Sequence, residues 1–224
     1  MDFSQAGITE MVLRLPVVLF SLVIHEYMHG WTAWKCGDDT ALRAGRLTFN
    51  PLPHLDLIGT LCLMFAPIGW AKPVPVNPYN YEHPRRDDIL VSGAGIAANF
   101  LLAAGLCLLA RVLVSVGALP GTDLSRILWA MMANAILINF GLAVFNLLPI
   151  FPLDGSHIVR NLLPPNAAMA FANISRYGMF LLIAVVLINR ETRFLLWPII
   201  HLTVGVAGND AVDVLIHSLH PVGM

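Results

Sequence analysis

His25, Glu26 and His29 stand in the run His-Glu-Tyr-Met-His. The two histidines stand four positions apart, so on a helix their imidazoles share one face a turn apart and can bind a single zinc ion. Glu26 lies beside that face, where a carboxylate can take a proton from a metal-activated water. Zinc brings the pKa of such a water to about 7, which makes peptide hydrolysis accessible at neutral pH. A pattern with three fixed positions also arises by chance, and the surroundings decide between the two readings. Between Leu15 and Trp34 these three are the only acidic or basic side chains. An ionisable group in lipid is costly unless a partner or a water-filled cavity receives it.

A catalytic zinc takes three protein ligands and keeps a fourth position open. The candidates for the third ligand are His54, Asp56, Asp154 and His157. Asp154 stands in Asn-Leu-Leu-Pro-Ile-Phe-Pro-Leu-Asp-Gly, residues 146–155, with apolar side chains almost all round it. Pro149 and Pro152 must break a helix there, and free backbone groups at membrane depth are tolerated only against protein or water. A broken segment carrying a carboxylate therefore reads as a site. The competing reading is a solvated aspartate capping a short helix that starts near Ser156. His157 is the runner-up ligand, and His54 and Asp56 have a weaker claim.

The elements that must position these groups are membrane elements. Of the 224 residues, 57% are apolar and 12% charged, against about 25% charged in soluble domains. Mean hydropathy is +0.72. Apolar runs predict helices at about 11–35, 89–114, 124–148, 170–189 and 194–216, with a shorter run, Leu55 to Trp70, broken by Gly59 and Pro67. The expectation is an all-α polytopic membrane protein of about six transmembrane segments. Alternation over Ala41 to Asn50 adds a short membrane-associated β-hairpin after the first helix. Ala71 to Asp88, with four prolines and the charged run Arg85, Arg86, Asp87, Asp88, reads as an aqueous or interfacial loop. No loop has room for a soluble domain, so residues 1–224 form one domain, with a catalytic core of about 11–163 and additional helices at about 170–216. If Leu55 to Trp70 crosses, the first helix begins on the side where the 124–148 helix ends, and Asp154 must fold back into the membrane to meet His25. On that topology Lys and Arg divide almost evenly and give no orientation.

Several motifs together resemble the site-2 protease family of intramembrane zinc metalloproteases. His25-Glu26-x-x-His29 is similar to the family's zinc-binding helix, and Asn146-x-x-Pro149-x-x-Pro152-x-Asp154-Gly155 to its second signature. Further similar segments are Asn50 to Asp56 with Gly59 and Thr60, Trp70 to Asn77, and Gly93-Ala94-Gly95 followed by Asn99. Ala94 replaces a proline common at that place in the family, and the catalytic motifs are untouched. The resemblance covers about residues 15–160. It implies one catalytic Zn2+ held by His25, His29 and Asp154, and cleavage of a membrane-protein substrate within or near its transmembrane segment. It also supports Asn146 in binding substrate. With no room for a PDZ domain and no CBS pair, the chain is similar to the compact subgroup.

Asn139, seven residues before Asn146, reads as a contact between helices. Cys36, Cys62 and Cys107 suggest neither a disulfide framework nor a cysteine zinc site. A net charge of -1 without a basic block argues against nucleic acid. The expected partners are a transmembrane protein substrate and membrane lipid, and the expected location is a multi-pass position in a membrane, the cell membrane in a prokaryote. The alternative reading is a membrane transporter for a divalent metal, which calls for further polar ligands along a crossing route.

Overall fold

The computed structural model describes residues 5–56, Gly59 and residues 71–219, without the side chains of residues 5–11 and of Arg190. The elements are helices α1 (Gln5–Lys35), α2 (Thr40–Arg43), α3 (Pro84–Ser115), α4 (Asp123–Asn146), α5 (Asp154–Leu162), α6 (Pro165–Ser175), α7 (Gly178–Thr192), α8 (Leu196–Ala207) and α9 (Asn209–Leu219). Two 3-10 turns, Leu52–His54 and Pro78–Asn80, lie between α2 and α3. There is no strand among the described residues. The mostly helical membrane architecture agrees with the sequence.

Three helices are long and apolar enough to cross a membrane, Val12–Lys35 within α1, Pro84–Ser115 and Asp123–Asn146, with a fourth if the bent α6–α7 pair is one span. Two of them start on a local signal. Pro84 opens α3, where a missing N–H costs nothing. At α4 the Thr122 hydroxyl accepts the Ser125 N–H at 3.2 Å while the Ser125 hydroxyl accepts the Thr122 N–H at 2.8 Å, a reciprocal cap.

The expected hairpin over Ala41 to Asn50 is not formed. The Asp38 carboxylate takes the Thr40 N–H at 3.1 Å and Arg43 pairs with Asp39 at 2.6 Å, so local side-chain bonds favour the short α2 over a strand ladder. Most of the Leu55 to Trp70 run lies outside the described residues, but its two ends are joined. Leu55 and Ala71 form an antiparallel bridge, and the Lys72 N–H donates to the His54 carbonyl at 2.8 Å. Leu55 and Ala71 therefore stand side by side, where a single crossing between them, the condition on which the fold-back of Asp154 was expected, would part them. Three to four candidate spans stand among the described residues in place of about six. The Glu82 N–H likewise donates to the Cys36 carbonyl at 3.1 Å, bringing the start of α3 to the end of α1. Arg85 to Asp88, expected in a loop, form the first turn of α3, where Asp87 and Asp88 are buried.

The expected helix at 170–189 is two helices bent by 70° at Arg176–Tyr177, and that at 194–216 breaks at Gly208, whose φ of 81° is left-handed. Gly178, which opens α7, abuts the backbone of Phe151 with no room for a side chain. The apolar core sits at the end of the bundle away from Lys35, where Cys107, Ala110, Trp129, Ala133, Ile136 and Phe140 of α3 and α4 meet Ile199 of α8 and Leu215 of α9. Cys36 and Cys107 are buried free thiols, and Cys62 lies outside the described residues.

Candidate metal centre

Helix α3 runs antiparallel to α1. As α1 descends through His29, His25 and Ser21, its partners on α3 ascend through Val91, Gly95 and Asn99. Gly95 lies directly against the imidazoles, and a Cβ there would come within 2.7 Å of His25 Cε1 and closer still to His29 Nε2. The absence of a side chain at this position lets the two helices close around the histidines.

Backbone carbonyls fix the proton positions through the hydrogen-bond network. His29 Nδ1 lies 2.7 Å from the Val91 carbonyl, which can only accept, so Nδ1 carries the proton. The Asn139 amide nitrogen donates to the Ala135 carbonyl and to the Ser21 hydroxyl, both at 2.8 Å, so its oxygen accepts the Asn99 amide at 2.7 Å. The Asn99 oxygen then faces His25 Nδ1 at 2.6 Å and accepts its proton. Both Nε2 atoms are left as lone-pair acceptors, 3.0 Å apart.

Into the same point comes Asp154. Pro149 and Pro152 end the helical path after Asn146, and Gly155 lies against the carbonyls of Leu147 and Leu148 where a side chain would collide. This brings the start of α5 back onto the end of α4, and Asp154 Oδ2 stands 3.2 Å from His25 Nε2 and 3.3 Å from His29 Nε2. Oδ2 is buried and has no hydrogen-bond donor. Three acceptors facing one point repel unless a cation sits among them. Ligands placed about 2.1 Å from a tetrahedral zinc are about 3.4 Å apart, so the donor set fits that ion. Asp154 reaches the histidines from the end of α4 that lies beside the end of α1, so the fold-back from the opposite side expected from sequence is not required.

The other candidates lie elsewhere. His157 faces Asp88 at 3.6 Å, His54 is buried with its Nε2 donating to the Thr48 carbonyl at 2.9 Å, and Asp56 accepts the Gly59 N–H at 2.8 Å. Glu26 accepts the Val74 N–H at 2.7 Å. Asn146 ends α4 half-buried, its amide donating to the Leu142 carbonyl at 3.0 Å. Asn99, named in the sequence only as part of a similar segment, is a direct partner of His25. The signal that could have found it is the one used for the histidines, a polar side chain within an apolar helix.

The family model described as Peptidase family M50 matches residues 112–187, a stretch that includes Asn146 and Asp154. Over 202 residues the chain is 36% identical to "Putative zinc metalloprotease YwhC" of Bacillus subtilis (strain 168), covering 88% of this chain and 90% of that protein. The chain belongs to peptidase family M50. It is also 33% identical over 183 residues to "Putative zinc metalloprotease Rip2" of Mycolicibacterium smegmatis, covering 80% of this chain and 67% of the relative. No solved structure matches it. This M50 chain is accordingly a zinc metalloendopeptidase of the site-2 protease type, with zinc as its cofactor.

Proposed function

We propose that this chain is an intramembrane endopeptidase that hydrolyses a peptide bond within or near the transmembrane segment of a membrane-protein substrate, with His25, His29 and Asp154 holding zinc and Glu26 as the base. The observation that carries the reading is the convergence of His25 Nε2, His29 Nε2 and Asp154 Oδ2 at 3.0–3.3 Å. When bound, zinc supplies a Lewis acid that acidifies water and polarises the scissile carbonyl. The side chains of the chain do the rest. The protons on His25 Nδ1 and His29 Nδ1 are committed to Asn99 and Val91, which keeps both Nε2 lone pairs free for the metal. Glu26, anchored through Oε2 by the Val74 N–H, accepts the proton of the attacking water. As oxygen adds to the carbonyl carbon and the carbon–nitrogen bond breaks, Glu26 returns that proton to the departing amine.

A substrate helix must unwind to expose its amide, because helical amides are hydrogen-bonded and shielded. Asn146, at the end of α4 with its carbonyl oxygen uncommitted to the helix, is proposed to bind the backbone so exposed. The bacterial sources of the relatives support a place in the cell membrane. In the transport reading, metal-binding groups would recur along a route, but among the described residues His25, His29 and Asp154 are the one such cluster.

The test is purified Glu26→Gln protein. It is expected to retain zinc and to lose on the order of 10²–10⁴ in cleavage rate on a transmembrane peptide. Zinc-loaded Glu26→Gln protein cutting at the normal rate overturns the base assignment. Zinc flux into liposomes without peptide cleavage by the wild type overturns the protease reading.

A further inference from the structure

We propose that Asp88 is a positioning residue, the anchor that holds α5 so that Asp154 meets the two histidines. The proposal rests on the ligand assignment above and goes beyond it. Asp88 lies one turn before Val91 on the face of α3 that also carries Gly95 and Asn99. Its side chain is 8% exposed. Its Oδ2 accepts the Asn161 amide at 2.5 Å and the Arg160 guanidinium at 3.2 Å, and faces His157 Nδ1 at 3.6 Å.

All three partners are on α5. Apart from Asp154 itself, they are the described side chains of that helix with a polar contact to another helix, and every one of those contacts ends on Asp88. Arg85, three residues earlier on α3, adds a 2.6 Å bond to the Leu163 carbonyl at the end of α5. The geometry is that of a short rod fixed at one end. Asn161 is two turns from Asp154, about 10 Å along the axis, so the clamp does not touch the metal ligands yet sets the place of the third one. Asp154 follows the Pro-broken segment, and Gly155 beside it packs against the Leu147 and Leu148 carbonyls, so α5 is seated on the end of α4 at its start and tied to α3 by Asp88 further along. His29 and His25 are held by Val91 and Asn99, and Asp88 supplies the equivalent constraint on the remaining ligand from the same helix.

The test uses the full chain in detergent, with Asp88→Asn, Asp88→Glu and, on the other side of the contact, the double variant Arg160→Gln/Asn161→Ala. Zinc affinity is read by competition with a chelating dye, kcat and KM on a transmembrane peptide, and thermal midpoint after zinc is stripped. Asp88→Asn and the α5 double variant are expected to lose zinc affinity by about tenfold, with kcat falling by a similar factor and KM nearly unchanged. Asp88→Glu is expected to recover most of the affinity, since it keeps the charge. A merely structural role would lower the stripped midpoint and leave the zinc affinity of the folded protein at the wild-type value, which overturns the proposal. If Asp88→Asn does not fold, the α5 variant decides alone by the same readings. His25→Ala, run in parallel, separates the two levels. If it keeps zinc, the ligand assignment fails; if it loses zinc while the Asp88 and α5 variants keep it, the Asp88 role alone fails.

Discussion

Asn99 accepts the Nδ1 proton of His25 at 2.6 Å, and that bond orients a proposed zinc ligand from a different helix. The Asn99 amide goes on to Asn139 at 2.7 Å and to the Ser21 carbonyl at 3.3 Å, so α1, α3 and α4 are tied at a single point. Replacing Asn99 by Ala frees the imidazole to rotate and to change tautomer. The expected outcome is a 10–100-fold loss of zinc affinity, read by chelator competition, with the fold retained by far-UV circular dichroism.

Gly95→Ala tests the close approach of α3. Its added methyl would occupy the space of His29 Nε2 and His25 Cε1, and both rings would have to turn away from Asp154. Forcing a methyl into a packed site costs about 1–3 kcal/mol. The variant is expected to purify with far less than one zinc per chain by metal analysis, whereas Gly93→Ala, where a Cβ meets nothing within 4 Å, should bind zinc normally.

The Val74 N–H that anchors Glu26 can be removed without changing Glu26. Val74→Pro is expected to lower kcat by about tenfold with zinc content unchanged, because a base held off its geometry transfers protons less well. Val74 also packs against Gly30, so Val74→Ala is the control for lost packing. If both variants slow cleavage equally, the N–H has no separate role.

Asp38 predicts the acid sensitivity of the loop between α1 and α3. Burial pushes its carboxyl up, but hydrogen bonds from the Asn77 N–H, Thr40 and the Asn80 amide outweigh that and hold it below its ordinary value. A depressed carboxyl pKa contributes stability above the unfolded-state value of about 3.9 and loses it as pH falls through the lower folded value. The wild type should therefore melt above Asp38→Asn at neutral pH, with the gap closing below about pH 4.

How far the sequence could be read depended on whether the deciding contact was local. His25, Glu26 and His29 were legible because helical spacing puts the two imidazoles on one face and nothing else in that stretch is charged. Asp154 was legible because two prolines interrupt an apolar run beside it. Asp88 was not, since beside Arg85, Arg86 and Asp87 it reads as part of a solvated charge run, and its partners lie 72 and 73 residues further on. The meeting of Leu55 with Ala71 was hidden for a similar reason. The run between them is apolar yet short for a crossing, which left its course open in the sequence, and the pairing of Leu55 with Ala71 is a contact that no local pattern announces. The break between α6 and α7 has no proline to announce it, and Gly178 there meets Phe151 from a distant loop.

The joined ends of that run also restore an electrical asymmetry. With Leu55 beside Ala71 and Cys36 beside Glu82, the segments carrying Lys35, Arg43, Arg46, Lys72, Arg85 and Arg86 gather at the end of the bundle where Asp154 meets the histidines. Arg14 near the start of α1, and Arg111 and Arg126 around the turn between α3 and α4, lie towards the other end, so the balance among these is six to three. A bias of this kind in short loops retains the basic end in the cytoplasm during insertion. Cysteines placed at Arg43 and at Leu119 should then react with a membrane-impermeant thiol reagent from opposite faces, Leu119 from outside the cell. On the proposed function, a peptide cut at the metal centre would part close to this basic end, so its soluble fragment would leave on the same side as the loop that carries Arg43.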